Sequence, residues 1–574
     1  MIIRAKPSPK PSPHALLAEA EGLRLRFGGG AARRKQELIA ALDRADLRLP
    51  ADLLRFHELL CFWRAYPDDR DVLGRVERSL GRFARRSDLT RLASRLVDSG
   101  IAGTEIRFRF FAATARWLVE RWPSQVRVDW KAFDSDALEP WLPLLVHPAE
   151  TPALDEYDLP VREWLAWLGG PRETDAAFLV RRLARMPMDE VARETLYDQL
   201  DPPLVLLPGA TTPSRTRAKR SGARLHFQRR ALERGRPSIE AVASLRARAV
   251  REVGAREGER WIDLARASMV TRSRDLDAFA NGDPRDVRVV DFGNGLAFAC
   301  IGVRPERRLL LEAVYGYLTV KNGVPIGYVL TASLFGSAEL AYNVFETWRG
   351  AEAGPIYARV LAMTRGLFGC DAFTIVPYQL GEGNDEALGS GAWWFYQKMG
   401  FRPRDRAATR LMRAELARMR SRPGHRSRLA TLRRLARAPV HLFLARSRGD
   451  VLGEVPLANV GLHVSRALAE RFGADREAAT ESSARAARET LGGGPTSAWS
   501  AGERMAWTIW APLVTILPGI ERWNASERDA LVDVIRAKGG RRESAFVRHF
   551  DAHPRLRAAI RRLAAAPPRT PRAG

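Results

Sequence analysis

Between Val287 and Phe335 the apolar and polar positions follow a strand rhythm broken by glycine. VRVVDF (Val287 to Phe292) and LAFACIGV (Leu296 to Val303) flank Gly293-Asn294-Gly295, which predicts a β-hairpin. EAVYGYLTV (Glu312 to Val320) turns through Lys321-Asn322-Gly323 into PIGYVLTASLF (Pro325 to Phe335), a second hairpin whose Asn and Gly tolerate positive φ. ELAYNVFETW (Glu339 to Trp348) predicts another strand. The period then lengthens. Pro355 suits a first helical turn, and Ile356, Val360, Met363 and Leu367 line one side of a helix over 356–368 that stops at Gly369. A strand over 373–378, a polar loop over 380–390, a short helix over 392–399 and a last strand near Thr409 to Met412 follow.

Around this stretch the pattern is helical. Residues 14–207 predict a mainly helical domain, with Phe108 to Trp122 as one helix presenting Phe111, Ala115, Leu118 and Val119 on one side. Residues 208–237 predict a basic linker: Pro213 to Arg236 holds nine Lys/Arg and one acid, Glu233. Either a solvated connector or a phosphate-contacting arm fits that composition. Residues 238–412 form the expected central domain, Ser238 to Ala280 adding helices ahead of the hairpins. Residues 413–574 form a basic helical C-terminal region, in which Ser526 before Glu527 predicts a helix N-cap. Residues 1–13 read as a disordered Pro/Ser/Lys tail, and 567–574 as a frayed end. The predicted class is α+β, a central mixed sheet between helical flanks.

Composition adds one fact. Across 574 residues, 93 Lys and Arg oppose 67 Asp and Glu, a net charge of +26 that favours anionic partners. Asp286 to Gly400 holds nine basic and eleven acidic residues, so the excess is expected in the flanks and in two arginine-rich blocks, 213–236 and 402–448. Three well-separated cysteines exclude a disulfide framework or a zinc motif, so no metal is expected. The N-terminus lacks a signal-peptide run, and Met505 to Ile520 is broken by two prolines, so no membrane span is expected and a cytoplasmic location is.

The meander, strand, loop, helix, strand, helix, strand order, with Tyr396-Gln397-Lys398-Met399-Gly400-Phe401, resembles the GNAT (GCN5-related) N-acetyltransferase superfamily, whose late helix ends in Tyr-x-x-x-Gly-Phe. The resemblance covers the middle quarter to third of the chain. It implies a cleft between two splayed parallel strands that holds acetyl-CoA or another acyl-CoA, and transfer to an amine acceptor that the sequence does not identify. It also implies a diphosphate cradle of backbone N–H groups at a helix start. The matching segment offers Arg349, Gly350, Ala351 and Gly354, with Glu352 where the family has glycine. Glu346 is the expected base, Tyr396 the expected acid at the thiolate, and Asn384 the expected contact to the pantetheine arm. The altered cradle and the basic flanks support two alternatives: a related transferase that takes its acyl group from aminoacyl-tRNA, and a non-catalytic scaffold that binds nucleic acid or protein.

Overall fold

A computed structural model describes residues 11–568. The expected tail lies outside the described residues up to residue 10; by Ser12 the chain is already capping a helix, its hydroxyl accepting from the Ala15 N–H.

Nine strands build the central sheet: β1 (Ala249–Glu252), β2 (Gly282–Gly293), β3 (Leu296–Val303), β4 (Ala313–Lys321), β5 (Val324–Leu334), β6 (Ser337–Val344), β7 (Ala372–Ile375), β8 (Arg402–Pro403) and β9 (Val440–Phe443). Their spatial order is β8-β9-β7-β6-β5-β4-β3-β2-β1. Both predicted hairpins are present, turning at residues 293–295 and 322–323. Asn294 and Asn322 each adopt φ 50°, the left-handed conformation that selected Asn and Gly there. Every pairing is antiparallel except β6 with β7. The fold is α+β, with helical N- and C-terminal regions around this mixed sheet.

Four expectations change. The loop predicted over 380–390 folds in its second half into a helix, Asp385–Ser390, capped by Asn384. Thr409 to Met412 is not a strand; it lies inside a helix, Arg406–Ser421, that Asp405 caps and whose Ala408, Met412 and Glu415 are buried along one side. The sheet takes its last antiparallel strand from β9 instead, well beyond residue 412. Phe108 to Trp122 divides into a strand, Ile106–Arg109, and a helix, Ala112–Arg121. That strand joins Val126–Val128 and Pro203–Leu206 in a small three-stranded sheet within the N-terminal region. Near the C-terminus Asn524, not Ser526, is the N-cap, and it forms a capping box with Glu527.

Residues 208–237 are a strap pinned across the molecule. Helix α1 (Pro50–Ala65) holds one side of it: Arg64 donates to the carbonyls of Thr216 and Arg215 at 2.6 and 2.9 Å. The sheet holds the other, where Arg220 N–H donates to Gly323 O at 2.8 Å. Asn322 joins all three parts. Its amide donates to Ala65 O and His226 O, both at 2.9 Å, and its side-chain oxygen accepts from His226 N–H at 2.7 Å. Helix α2 (Ala255–Val270) covers β2, and Arg220 of the strap reaches its Glu257 at 3.2 Å.

Candidate functional site

Strands β6 and β7 stay together for three residue pairs, Ser337–Ala372, Ala338–Phe373 and Glu339–Thr374. β7 then ends at Ile375, while β6 runs on to Val344 held only by β5. The two strands part, leaving one edge of β6 without a strand partner. A cavity of about 250 Å³ opens there. Its walls are β6 (Tyr342, Asn343, Val344), the start of helix α3 (Ala353–Phe368), and the short helices α4 (Asp385–Ser390) and α5 (Ala392–Lys398).

Tyr396 is on this wall and is 3% exposed. Its ring meets Tyr357, Phe395 and Phe401 at centroid distances of 5.6, 5.3 and 5.8 Å, an aromatic cage that fixes its direction. Its hydroxyl meets the backbone of Tyr342 on β6. Burial pushes this phenol above its usual range, so it keeps its proton. Tyr342 in turn donates its hydroxyl to Ala353 O at 3.3 Å, tying the open strand to the first turn of α3.

Arg349 also lines the cavity, its Nε donating to Val344 O at 3.2 Å and its guanidinium pairing with Glu386. Glu386 is shared: Arg274 pairs with it at 3.1 Å and donates to the Tyr328 hydroxyl at 3.0 Å. Asn384 caps α4, its side-chain oxygen accepting from Ala387 N–H at 3.1 Å. Gly350 adopts φ +79° in an exposed turn, and Ala351 is buried.

At the expected phosphate cradle Glu352 is the N-cap residue of α3, but its side chain neither points to solvent nor accepts from the helix's first turn. It turns inward to Lys321 at 3.0 Å, and the Lys321 ammonium sits 4.8 Å from the centre of the Tyr66 ring. The helix start is approached instead by the strap. A side chain added at Gly354 would meet Gly235 O at 3.2 Å and the Arg236 side chain at 3.8 Å. Arg236, Lys398 and Arg426 lie near one another here. Burial, Arg236 and Arg426 together lower the ammonium pKa of Lys398.

Of the expected site residues, the fork gathers Tyr396, Arg349 and Asn384 around one cavity. Glu346 is elsewhere, exposed in a single 3-10 turn, Glu346–Trp348, beyond the end of β6. That turn is fixed from the N-terminal region. Thr347 donates to Glu58 of α1, and Arg215 of the strap donates to Thr347 Oγ1 at 2.9 Å.

A further carboxylate stands at the closed end of the fork, outside the lining of the cavity. Glu339 belongs to the last parallel pair and is half-buried. Burial, with help from Glu312, raises its pKa. Side chains alternate along a strand, so Glu339 emerges on the face opposite Tyr342, whose ring packs on Tyr357 of α3. Thr374 and His441 continue this row across β7 and β9. Thr374 Oγ1 lies 3.0 Å from His441 Nδ1 and donates to Leu452 O at 2.7 Å, and His441 Nε2 lies 2.8 Å from Glu454. The signal was available, since a single acid stands inside an apolar strand run; read alone it looks like a solvent-facing position. Among the described residues no cluster of His, Cys, Asp and Glu suits a metal ion, and no helix is long and apolar enough to cross a membrane.

Comparisons of the chain with protein-family models, with curated proteins and with solved structures return no match.

Proposed function

We propose that the fork is the active site of a GNAT-like N-acyltransferase whose donor is an acyl-CoA. The observation that carries this reading is the parting of the single parallel pair beside a buried phenol. An extended chain laid against the free edge of β6 finds backbone groups to bond, as an added strand would. In the reaction the acceptor nitrogen attacks the thioester carbonyl and the C–S bond breaks. Tyr396 gives its proton to the departing thiolate, a role suited to a phenol held neutral by burial. A base removes the proton from the attacking amine. We assign that role to Glu339 in place of Glu346, because Glu339 stands at the closed end of the fork with a pKa moved toward neutrality. Arg236, Lys398 and Arg426 supply positive charge near the start of α3 for the donor's phosphates.

Titration calorimetry with acetyl-CoA and longer acyl-CoAs tests the donor. Heat and a raised melting temperature are expected. No heat and unchanged melting with every acyl-CoA removes the reading. Tyr396→Phe is expected to retain donor binding and lose turnover.

One observation favours a second reading, in which the acyl group arrives on aminoacyl-tRNA. The Gly235 carbonyl faces Gly354 at the helix start, where a CoA diphosphate would need approach.

A further inference from the structure

Two helices beyond the fork, α6 (Arg406–Ser421) and α7 (Leu429–Ala436), carry a charge that the described residues do not neutralise. Residues 402–437 hold thirteen arginines against two carboxylates, a net of +11 out of the chain's +26. All thirteen arginines are exposed. Both carboxylates are engaged locally. Asp405 accepts from Ala408 N–H at 2.7 Å to cap α6. Glu415, 1% exposed, is held by Arg418, His425 and Ser427. Apart from Arg418, only Arg433 has a carboxylate within ion-pair distance among the described residues, Asp385 at 3.8 Å.

The placement is ordered. Arg406, Arg410, Arg413 and Arg420 recur at helical spacing along one side of α6, opposite the buried Ala408, Met412 and Glu415. At 1.5 Å per residue the stripe is about 21 Å long. The hairpin is fastened to the wall of the cavity: Trp393 Nε1 donates to Leu435 O at 3.2 Å, and Trp394 Nε1 to Ser427 Oγ at 3.1 Å. Both tryptophans belong to α5, the helix that carries Tyr396.

We propose that α6 and α7 bind the phosphate backbone of a folded RNA and bring its single-stranded end to the fork. A stripe of unpaired guanidiniums is a phosphate-contacting surface, since each takes two phosphate oxygens at once. A lipid surface needs a row of apolar residues on the exposed side, whereas Leu411, Met412, Leu416 and Met419 face the core and Leu429 stands alone as an exposed large apolar side chain among thirteen arginines. A cavity of about 250 Å³ admits one extended arm. Folded RNA offers such an end or loop, while an amine on a duplex base is locked in the stack. Delivery to the fork rests on the fork being the active site; the binding surface does not.

The test uses the full chain, freed of nucleic acid in high salt. The probe is a fluorescent RNA hairpin with a short single-stranded 3′ end, titrated over a salt series. Four substitutions together, Arg406→Gln, Arg410→Gln, Arg413→Gln and Arg420→Gln, are expected to weaken binding at least about tenfold at moderate salt and to flatten the salt slope by about 3. Melting is expected to be unchanged, because all four side chains are exposed. The matching Lys set is expected to recover most of the binding. Wild-type affinity and slope in the Gln variant would overturn the proposal. So would duplex DNA binding as tightly as the RNA hairpin, or anionic phospholipid vesicles capturing the chain when RNA does not. Tyr396→Phe is expected to leave RNA binding intact, so a failure of the cavity chemistry and a failure of the surface read differently.

Discussion

The N-terminal region and the arginine hairpin are both rich in arginine, and they use it in opposite ways. Residues 14–207 hold 29 Lys and Arg against 31 Asp and Glu, a net of −2. The expectation that both flanks share the positive excess is therefore corrected: this one has none. Its arginines face carboxylates, as in Arg34 with Glu19, Arg55 with Glu21 and Arg86 with Asp88, at 2.6 to 2.7 Å. The hairpin over 402–437 has almost no carboxylates to face. An arginine-rich composition is common to both; only pairing separates a self-contained structural unit from a surface that needs an outside anion.

The comparison breaks most readily at a third place, where buried charge docks the C-terminal region on the sheet. Lys538 and Glu543 pair at 2.6 Å, both buried, and the Lys538 ammonium donates to Glu312 O at 2.9 Å. Removing one partner strands the other away from water. Glu543→Ala is expected to cost about 3–5 kcal/mol in chemical denaturation. A loss of under about 1 kcal/mol would show that this contact is not structural.

The next effect depends on pH. Asp275 joins the N-terminal region to the central unit, accepting from Phe111 N–H at 3.0 Å and Thr114 Oγ1 at 2.9 Å. Burial raises its pKa to about 6 despite these bonds. The folded state therefore keeps a proton that the unfolded chain releases from about pH 4. Its contribution to stability is fully present below that pH and is lost as pH rises through about 6, about 3 kcal/mol in all. The difference in stability between wild type and Asp275→Asn is expected to shift in favour of the variant by about that amount between pH 4 and 7. A constant difference across the range would refute the assignment.

Asn322→Asp sharpens the comparison at the strap. Aspartate tolerates the same φ but loses two donated bonds, and a loss of about 2–3 kcal/mol is expected by thermal melting. At the small end, Arg34→Ala breaks exposed pairs with Glu19 and Glu37 and is expected to cost under about 1 kcal/mol.

Both hairpins and the helix α3 were legible because their turn chemistry and period agree along the chain. The helix α5 and its tyrosine were legible from YQKMGF. β9 was not: VHLF is four residues long and sits behind a block of arginines that reads as one helical run. The strand at 106–109 had a signal, since Ile106, Phe108 and Phe110 alternate with Arg107 and Arg109, but a longer helical pattern overlaps it. Glu346 stands at the end of the predicted strand that precedes the cradle loop, but that strand stops at Val344 and leaves Glu346 in a separate turn. Glu339 owes its interest to strand separation, a property of two segments that no single stretch displays. The strap was read as a linker because Pro, Gly and Arg look solvated until a partner such as Asn322 accepts their backbone.

That asparagine has a consequence for how the protein could be divided or inherited. Hairpin turns ordinarily tolerate exchange, since their residues answer only to local geometry. Here one turn residue is bonded to two separate lengths of polypeptide, so the sheet could not be excised or grafted elsewhere without unmaking its own corner. The parts of this molecule are expected to change hands together or not at all.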